Sequence, residues 1–172
     1  MPPISAIRLA LAIFAVASFS TSQADEAGSA HSMAMEHHAS HRNNFSFGQP
    51  SEARLAQRTV AITMEDMSFE PKVVTVKPGE IVRFVIANSS AIDHEFTIGD
   101  KTSQQAHRLE MAAMAKIPGM GSMHHHDANA VSVSAHETKE VTWKFGQAAQ
   151  LEYDCNIPGH FEAGMTGALI VQ

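Results

Sequence analysis

The chain has 172 residues, of which 44% are hydrophobic and 17% are charged, a length and composition typical of one folded domain with additional segments. Its formal net charge of -6 gives no electrostatic attraction to phosphate backbones, so nucleic acid is excluded as an expected partner. The sequence contains 11 histidines and 10 methionines but a single cysteine. A lone cysteine excludes an intramolecular disulfide, a cysteine-rich zinc site and a dithiol redox motif.

Residues 1–24 have the pattern of a secretory signal peptide. A charge at Arg8 precedes an apolar run from Leu9 to Phe19, and small residues lead up to Ala24. A membrane anchor is the alternative, but this run is much shorter than the about 20 residues that a spanning helix needs. We therefore expect cleavage near Ala24, export to the periplasm and no stable membrane insertion of the mature protein.

Residues 25–57 mix Gly, Ser, Asn and Pro with scattered apolar residues and show no sustained helical or strand period. This composition is typical of a flexible tail. The tail holds six histidines and methionines: His31, Met33, Met35, His37, His38 and His41. They are candidate ligands for secondary copper ions, because thioethers bind Cu(I) and imidazoles bind either oxidation state. A solvated tail without a function is the alternative.

From residue 58 onward the sequence is rich in short strand patterns. In Lys139–Phe145, apolar Val141, Trp143 and Phe145 alternate with polar residues, which predicts a strand with one buried face. About eight such segments, separated by turns, predict an all-β domain over residues 58–172, an antiparallel two-sheet Greek-key β-sandwich. The predicted strands lie at 59–64, 72–76, 81–87, 95–98, 131–134, 139–145, 150–154 and 167–171.

An insertion at about residues 99–130 interrupts this series of strands. Residues 103–116 are rich in helix-forming residues, and on a helix His107, Met111 and Met114 form one stripe, best explained by packing against the sandwich. The Gly-rich stretch that follows has no period and holds further candidate ligands for secondary copper: Met120, Met123, His124, His125 and His126. Exposed methionines could instead act as a reversible sink for oxidants.

The strongest chemical signal lies in residues 155–165. Cys155, His160 and Met165 have the spacing C-x4-H and H-x4-M, in a loop between two predicted strands. Sulfur ligands are soft and imidazole is borderline, so this set prefers copper to magnesium or calcium. A trigonal site with two histidines, one cysteine and a weak axial methionine needs one more histidine, and His94 at the start of a predicted strand is the best candidate.

Three alternatives remain for the cysteine on the residues alone. Cys155 could be a buried, inert side chain, or an unpaired thiol that forms a dimer after export. It could also be the nucleophile of a Cys–His hydrolase, although neither an orienting third group nor an oxyanion hole is visible in the sequence. The hydrolase interpretation also leaves Met165 unexplained.

The ordered motifs of this region resemble those of the cupredoxin family of type 1 copper proteins. These motifs are Pro78-Gly79-Glu80, Asn88…His94-x-Phe96 and Cys155-x4-His160-x4-Met165. The resemblance covers about residues 58–172, and it implies that His94, Cys155 and His160 are strong copper ligands and that Met165 is the axial ligand. Export and the His/Met-rich segments make the chain most similar to the CopI-type periplasmic copper-tolerance cupredoxins.

The resemblance has one departure, at the residue that follows the first histidine ligand. Many cupredoxins have Asn or Ser at this position, and its side chain ties the two ligand loops together. This chain has Glu95 there, which leaves open whether the tie is made.

The function implied by the resemblance is copper tolerance or homeostasis, carried out in the periplasm by a copper-binding protein with a one-electron redox site. The protein fills all four coordination positions, so we expect no enzyme activity, with oxidation of cuprous ions as an unproven exception. The expected partners are copper ions and unidentified periplasmic redox proteins. Two alternatives stay open: a respiratory electron-transfer cupredoxin that shuttles between redox partners, and a copper chaperone or store without redox function.

Overall fold

The computed structural model describes residues 45–118 and 127–172. The signal peptide predicted at 1–24 and the histidines and methionines predicted as secondary copper ligands in the tail lie outside this range. The insertion's predicted ligands, at 120–126, lie outside it as well.

The described residues form two five-stranded sheets that pack face to face. In the first sheet the strand order is β1-β8-β5-β2-β3, and in the second it is β4-β10-β9-β6-β7. The strands are β1 (Gly48–Pro50), β2 (Arg58–Glu65), β3 (Ser68–Glu70), β4 (Val73–Val76), β5 (Ile81–Asn88), β6 (His94–Gly99), β7 (Ala130–Val133), β8 (Thr138–Phe145), β9 (Ala149–Asp154) and β10 (Thr166–Val171).

The predicted all-β sandwich is confirmed, and each strand expected from the sequence is present. The pairings are antiparallel except for two, β2 with β5 and β4 with β10, which are parallel. The alternation in β8 buries Val141, Trp143 and Phe145, as predicted.

Aromatic side chains from both sheets fill the core between them. Phe69 and Phe84 come from the first sheet, and Phe96 and Tyr153 come from the second. The ring centroids of Phe69 and Tyr153 are 5.3 Å apart, and those of Phe84 and Phe96 are 5.6 Å apart. Phe96 lies two residues after His94 in β6, so this packing fixes the strand from which His94 projects.

Residues 45–57 differ from the sequence prediction, which placed them in the flexible tail. β1 pairs with β8, a 3-10 turn follows at Ala53–Leu55, and Phe47 is buried with its ring centroid 5.6 Å from that of Trp143. A strand of three residues is too short to show a period, so the pattern gave no sign of it.

The insertion begins with the helix α1 (Lys101–Met114), which confirms the predicted helical segment. Its N-terminus is capped by Asp100, whose side chain accepts a hydrogen bond of 2.8 Å from the backbone N–H of Ser103. α1 packs against β6 and β9, and of the predicted stripe His107 is buried while Met111 and Met114 are partly exposed. The described residues contain no helix long and apolar enough to cross a membrane.

Candidate metal centre

Two of the residues that converge at the candidate centre lie at the ends of neighbouring strands of the second sheet. His94 is the first residue of β6, and Cys155 follows directly after the last residue of β9. These strands are antiparallel partners, with Thr97 opposite Asp154. The start of β6 therefore lies beside the end of β9, which brings two residues 61 positions apart in the chain together.

Cys155, His94 and His160 present three donor atoms to one point. Cys155 Sγ lies 3.3 Å from His160 Nδ1 and 3.9 Å from His94 Nδ1, and the two imidazole nitrogens are 3.2 Å apart. Where the structure describes the chain, these three side chains are the one group of histidine, cysteine and acidic residues close enough to hold a metal ion. One thiol and two imidazoles form a donor set that suits copper.

The loop between β9 and β10 folds back so that its two ends meet. The backbone N–H of Cys155 donates to the carbonyl of Met165 (3.2 Å), and the N–H of Met165 donates to the carbonyl of His160 (3.0 Å). Gly159 and Gly164 make the tight turns of this loop with φ angles of 92° and 98°, where a side chain would be strained. Met165, the predicted axial ligand, is fully buried beside the other loop residues.

Burial sets the protonation of the three donors. It raises the pKa of the Cys155 thiol to about 12, so the thiol is protonated at neutral pH until a cation displaces the proton. Burial lowers the pKa of His94, as does the neighbouring charge of His160, and burial alone lowers the pKa of His160. Both imidazoles are therefore neutral at pH 7, the form that binds a metal.

Asn88 holds the loop that leads to His94. Its side-chain amide donates to the carbonyls of Ile92 (2.8 Å), Val133 (3.0 Å) and Ser134 (3.1 Å). Its side-chain oxygen accepts from the backbone N–H (3.0 Å) and the hydroxyl (2.8 Å) of Ser90. One buried amide thus fixes both the turn before β6 and the end of β7.

Glu95 makes the tie that the sequence left open. Its carboxylate Oε2 accepts a hydrogen bond of 3.3 Å from the backbone N–H of Asn156, in the opposite ligand loop. Its Oε1 lies 3.0 Å from His107 Nε2 of α1. Burial by itself raises the pKa of Glu95, but the hydrogen bond and charge of His107 outweigh this effect and hold that pKa below its usual value.

His107 is a residue of this centre that sequence reasoning assigned only to packing. Burial lowers its pKa, but the hydrogen bond to Glu95, followed by the charges of Glu95 and Asp127, raises that pKa above its usual value. Both shifts favour the charged forms of the pair, a carboxylate beside an imidazolium. No local pattern in the sequence connects two residues that are 12 positions apart on different elements.

Comparison with known proteins defines the class. The family model of copper binding proteins, plastocyanin/azurin family, matches residues 56–172, and the chain belongs to this family. Membership also confirms copper as the predicted metal, which the thiol and imidazole donors fit.

Within the family, the particular similarity is to copper-resistant cuproproteins named CopI. The protein of Rubrivivax gelatinosus is 44% identical over 170 residues, covering 96% of this chain and 97% of the relative. The protein of Pseudomonas aeruginosa is 38% identical, covering 78% of this chain and 87% of the relative. The predicted resemblance to CopI-type cupredoxins is thereby confirmed.

Solved structures agree on the fold. Auracyanin B matches with a TM-score of 0.57 at 20% identity, covering 73% of this chain and 96% of that chain. Auracyanin A, a blue copper protein of Chloroflexus aurantiacus, matches with a TM-score of 0.53 at 26% identity, covering 66% of this chain and 98% of that chain.

Proposed function

We propose that the protein acts in copper tolerance in the periplasm and binds one copper ion in a type 1 redox site. In this proposal His94, Cys155 and His160 are the strong ligands and Met165 is the axial ligand. The observation that carries it is the approach of one thiol and two imidazole Nδ1 atoms to within 4.8 Å of one another, inside the fold of a copper-binding family. The role in tolerance is supported by relatives described as copper-resistant cuproproteins.

The site suits electron transfer better than catalysis. A bound copper ion supplies a one-electron redox couple. The protein holds two ligands at the ends of paired strands and the others in a hydrogen-bonded loop, so the ligand positions change little between oxidation states. The backbone N–H of Glu95 lies 3.3 Å from Cys155 Sγ and stabilises a thiolate there.

Exposure indicates where electrons enter or leave. His94 and Cys155 are fully buried, whereas His160 is partly exposed. In the proposed function, His160 is the ligand through which a partner protein exchanges an electron with the site.

Titration with Cu(II) tests the proposed site. We expect the purified protein to develop an intense visible band from thiolate-to-copper charge transfer, and Cys155→Ser to lose it. Met67, which is exposed, provides a control: Met67→Leu should leave the band unchanged, whereas Met165→Leu should shift it. An unchanged band in Cys155→Ser would refute the type 1 assignment.

A strain that lacks the gene tests the cellular role and separates the alternatives. Growth that is sensitive to copper with normal respiration supports tolerance, and a respiratory defect supports the electron shuttle. A chaperone or store without redox function predicts that Cys155→Ser restores growth fully. Recovery of the protein in the periplasmic fraction tests its proposed location.

A further inference from the structure

We propose that Glu95 and His107 are a pair of positioning residues that anchors α1 to the metal centre and holds the Cys155 loop in place. This inference rests on the proposed function, because it concerns the same site. It goes beyond that function by assigning the insertion helix a part in shaping the centre.

Glu95 touches both ligand loops at once. It follows His94 directly in β6, its backbone N–H donates to Cys155 Sγ (3.3 Å), and its carboxylate accepts from the backbone N–H of Asn156 (3.3 Å). Glu95 is only 2% exposed, so water does not compete for these contacts. Any movement of the carboxylate therefore moves the residue that follows the thiol.

His107 fixes the orientation of that carboxylate. Its Nε2 lies 3.0 Å from Glu95 Oε1, and its Nδ1 lies 3.9 Å from Asp127 Oδ2 on the other side of the ring. The imidazole is 9% exposed and stands between two carboxylates. Glu95 uses one oxygen for His107 and the other for Asn156, so its side chain links α1 to the Cys155 loop.

Two neighbouring residues on the same face of α1 extend this connection. Gln104 Oε1 accepts from the side-chain amide of Asn156 (2.9 Å), and Arg108 Nη1 donates to Asp154 Oδ2 (2.8 Å). The Arg108 guanidinium also lies 3.6 Å from the centre of the Phe161 ring. Positions 104, 107 and 108 share a helix face. This face of α1 contacts Asp154 before the thiol, Asn156 after it and Phe161 beside His160.

Stability alone is a weak explanation for a buried carboxylate–imidazole contact at this place. Removing both groups from water offsets much of the gain from their hydrogen bond, and replacing both partners by apolar groups of the same shape is often neutral or stabilising. Groups that orient metal ligands, in contrast, typically change metal affinity by about 10- to 100-fold when they are removed. The position of Glu95 between the two ligand loops favours this second role.

The test compares substitutions in the pair with an exposed control on the same helix. His107→Ala removes the imidazole, Glu95→Gln removes the charge, and His107→Gln keeps a donor that can reach Glu95. Gln105→Ala, on the exposed side of α1, is the control for truncation. We expect His107→Ala and Glu95→Gln to weaken copper binding by about 10- to 100-fold and to shift the visible band, with partial recovery in His107→Gln.

A second readout uses the metal-free protein. Hydrogen exchange of the Asn156 backbone amide reports the bond to Glu95 directly, and we expect it to accelerate in His107→Ala and Glu95→Gln but not in Gln105→Ala. If the wild-type protein gives no charge-transfer band, the proposed function fails, while this exchange still decides whether the pair holds the loop.

Two results would overturn the proposal. Copper affinity, band position and Asn156 exchange that are the same in His107→Ala as in Gln105→Ala would overturn it. Equal losses in His107→Ala and His107→Gln would show that the hydrogen bond to Glu95 has no positioning effect, and would also overturn it. If circular dichroism shows that His107→Ala does not fold, the comparison of Glu95→Gln and His107→Gln with Gln105→Ala decides by the same criteria.

Discussion

The substitution Gly167→Ala is expected to destabilise the fold and the metal centre together. Gly167 in β10 lies opposite Tyr153 in β9, and these two residues flank the ends of the 155–165 loop. A Cβ atom added at Gly167 would lie 2.2 Å from Tyr153 Cε2 and Cζ, far inside van der Waals contact. Tyr153 is fully buried against Phe96, with ring centroids 5.5 Å apart, and donates its hydroxyl hydrogen to the carbonyl of Pro71, so the ring has no free space to move into.

The magnitude follows from the rigidity of both sides of this contact. Overpacking of a protein core typically costs about 1–3 kcal/mol, and we expect about 3 kcal/mol here because a strand backbone meets a fully buried ring. In a domain of this size that loss lowers the melting temperature by roughly 10 °C. The same displacement of Tyr153 moves Cys155, two residues further on, so copper affinity should fall as well.

Thermal unfolding of the metal-free protein and copper titration are the assays. Gly79→Ala is the control, because Gly79 has a φ of 79° and no atom within 4 Å of an added Cβ. The loss of stability in Gly79→Ala should come from backbone strain alone and amount to about 1–2 kcal/mol. Copper affinity should not change, because this turn lies outside the metal centre. The double variant Gly167→Ala, Tyr153→Leu should be more stable than the sum of the single losses predicts. Additive losses, or a wild-type melting temperature in Gly167→Ala, would refute the reasoning.

Three further predictions concern the Cys155 thiol, the Asn88 amide and the tail. Burial raises the pKa of Cys155 to about 12, so alkylation of the metal-free protein at pH 8 should be at least about 10-fold slower than alkylation of a free thiol. Because the thiolate is the reactive form, the alkylation rate should rise with pH towards that pKa. A plateau of the rate near pH 9 would contradict this prediction. Asn88→Ala removes the buried amide that donates to the carbonyls of Ile92, Val133 and Ser134, and it should lower the free energy of unfolding by about 2–3 kcal/mol in urea titrations, with Gln105→Ala as the neutral control. Removal of residues 25–44, which leaves β1 in place, should lower the number of copper ions bound per protein and preserve the charge-transfer band; an unchanged copper count would contradict a role for that segment in binding copper.

The strands and the thiol loop could be predicted because their signals are local. Alternation over seven residues predicts β8, β-branched and aromatic content predicts β5, and the spacing of Cys155, His160 and Met165 lies within a single loop. β1 and β3 could not be predicted in this way, because strands of three residues carry no period. His94 was assigned by its place in an ordered motif, and its distance from Cys155 depends on the pairing of β6 with β9, which no single segment encodes.

The docking of α1 shows why outer contacts of the site escape prediction. A stripe of His107, Met111 and Met114 predicts apolar packing, but the buried positions of the helix are Gln104 and His107, and both are held by hydrogen bonds. Helical periodicity predicts which residues share a face and does not predict which partners that face meets. The partners here are a carboxylate and a loop amide at the metal centre, so a polar face was needed where the pattern indicated an apolar one. Directional hydrogen bonds hold this helix in a defined orientation on its sheet, as the proposed positioning role requires.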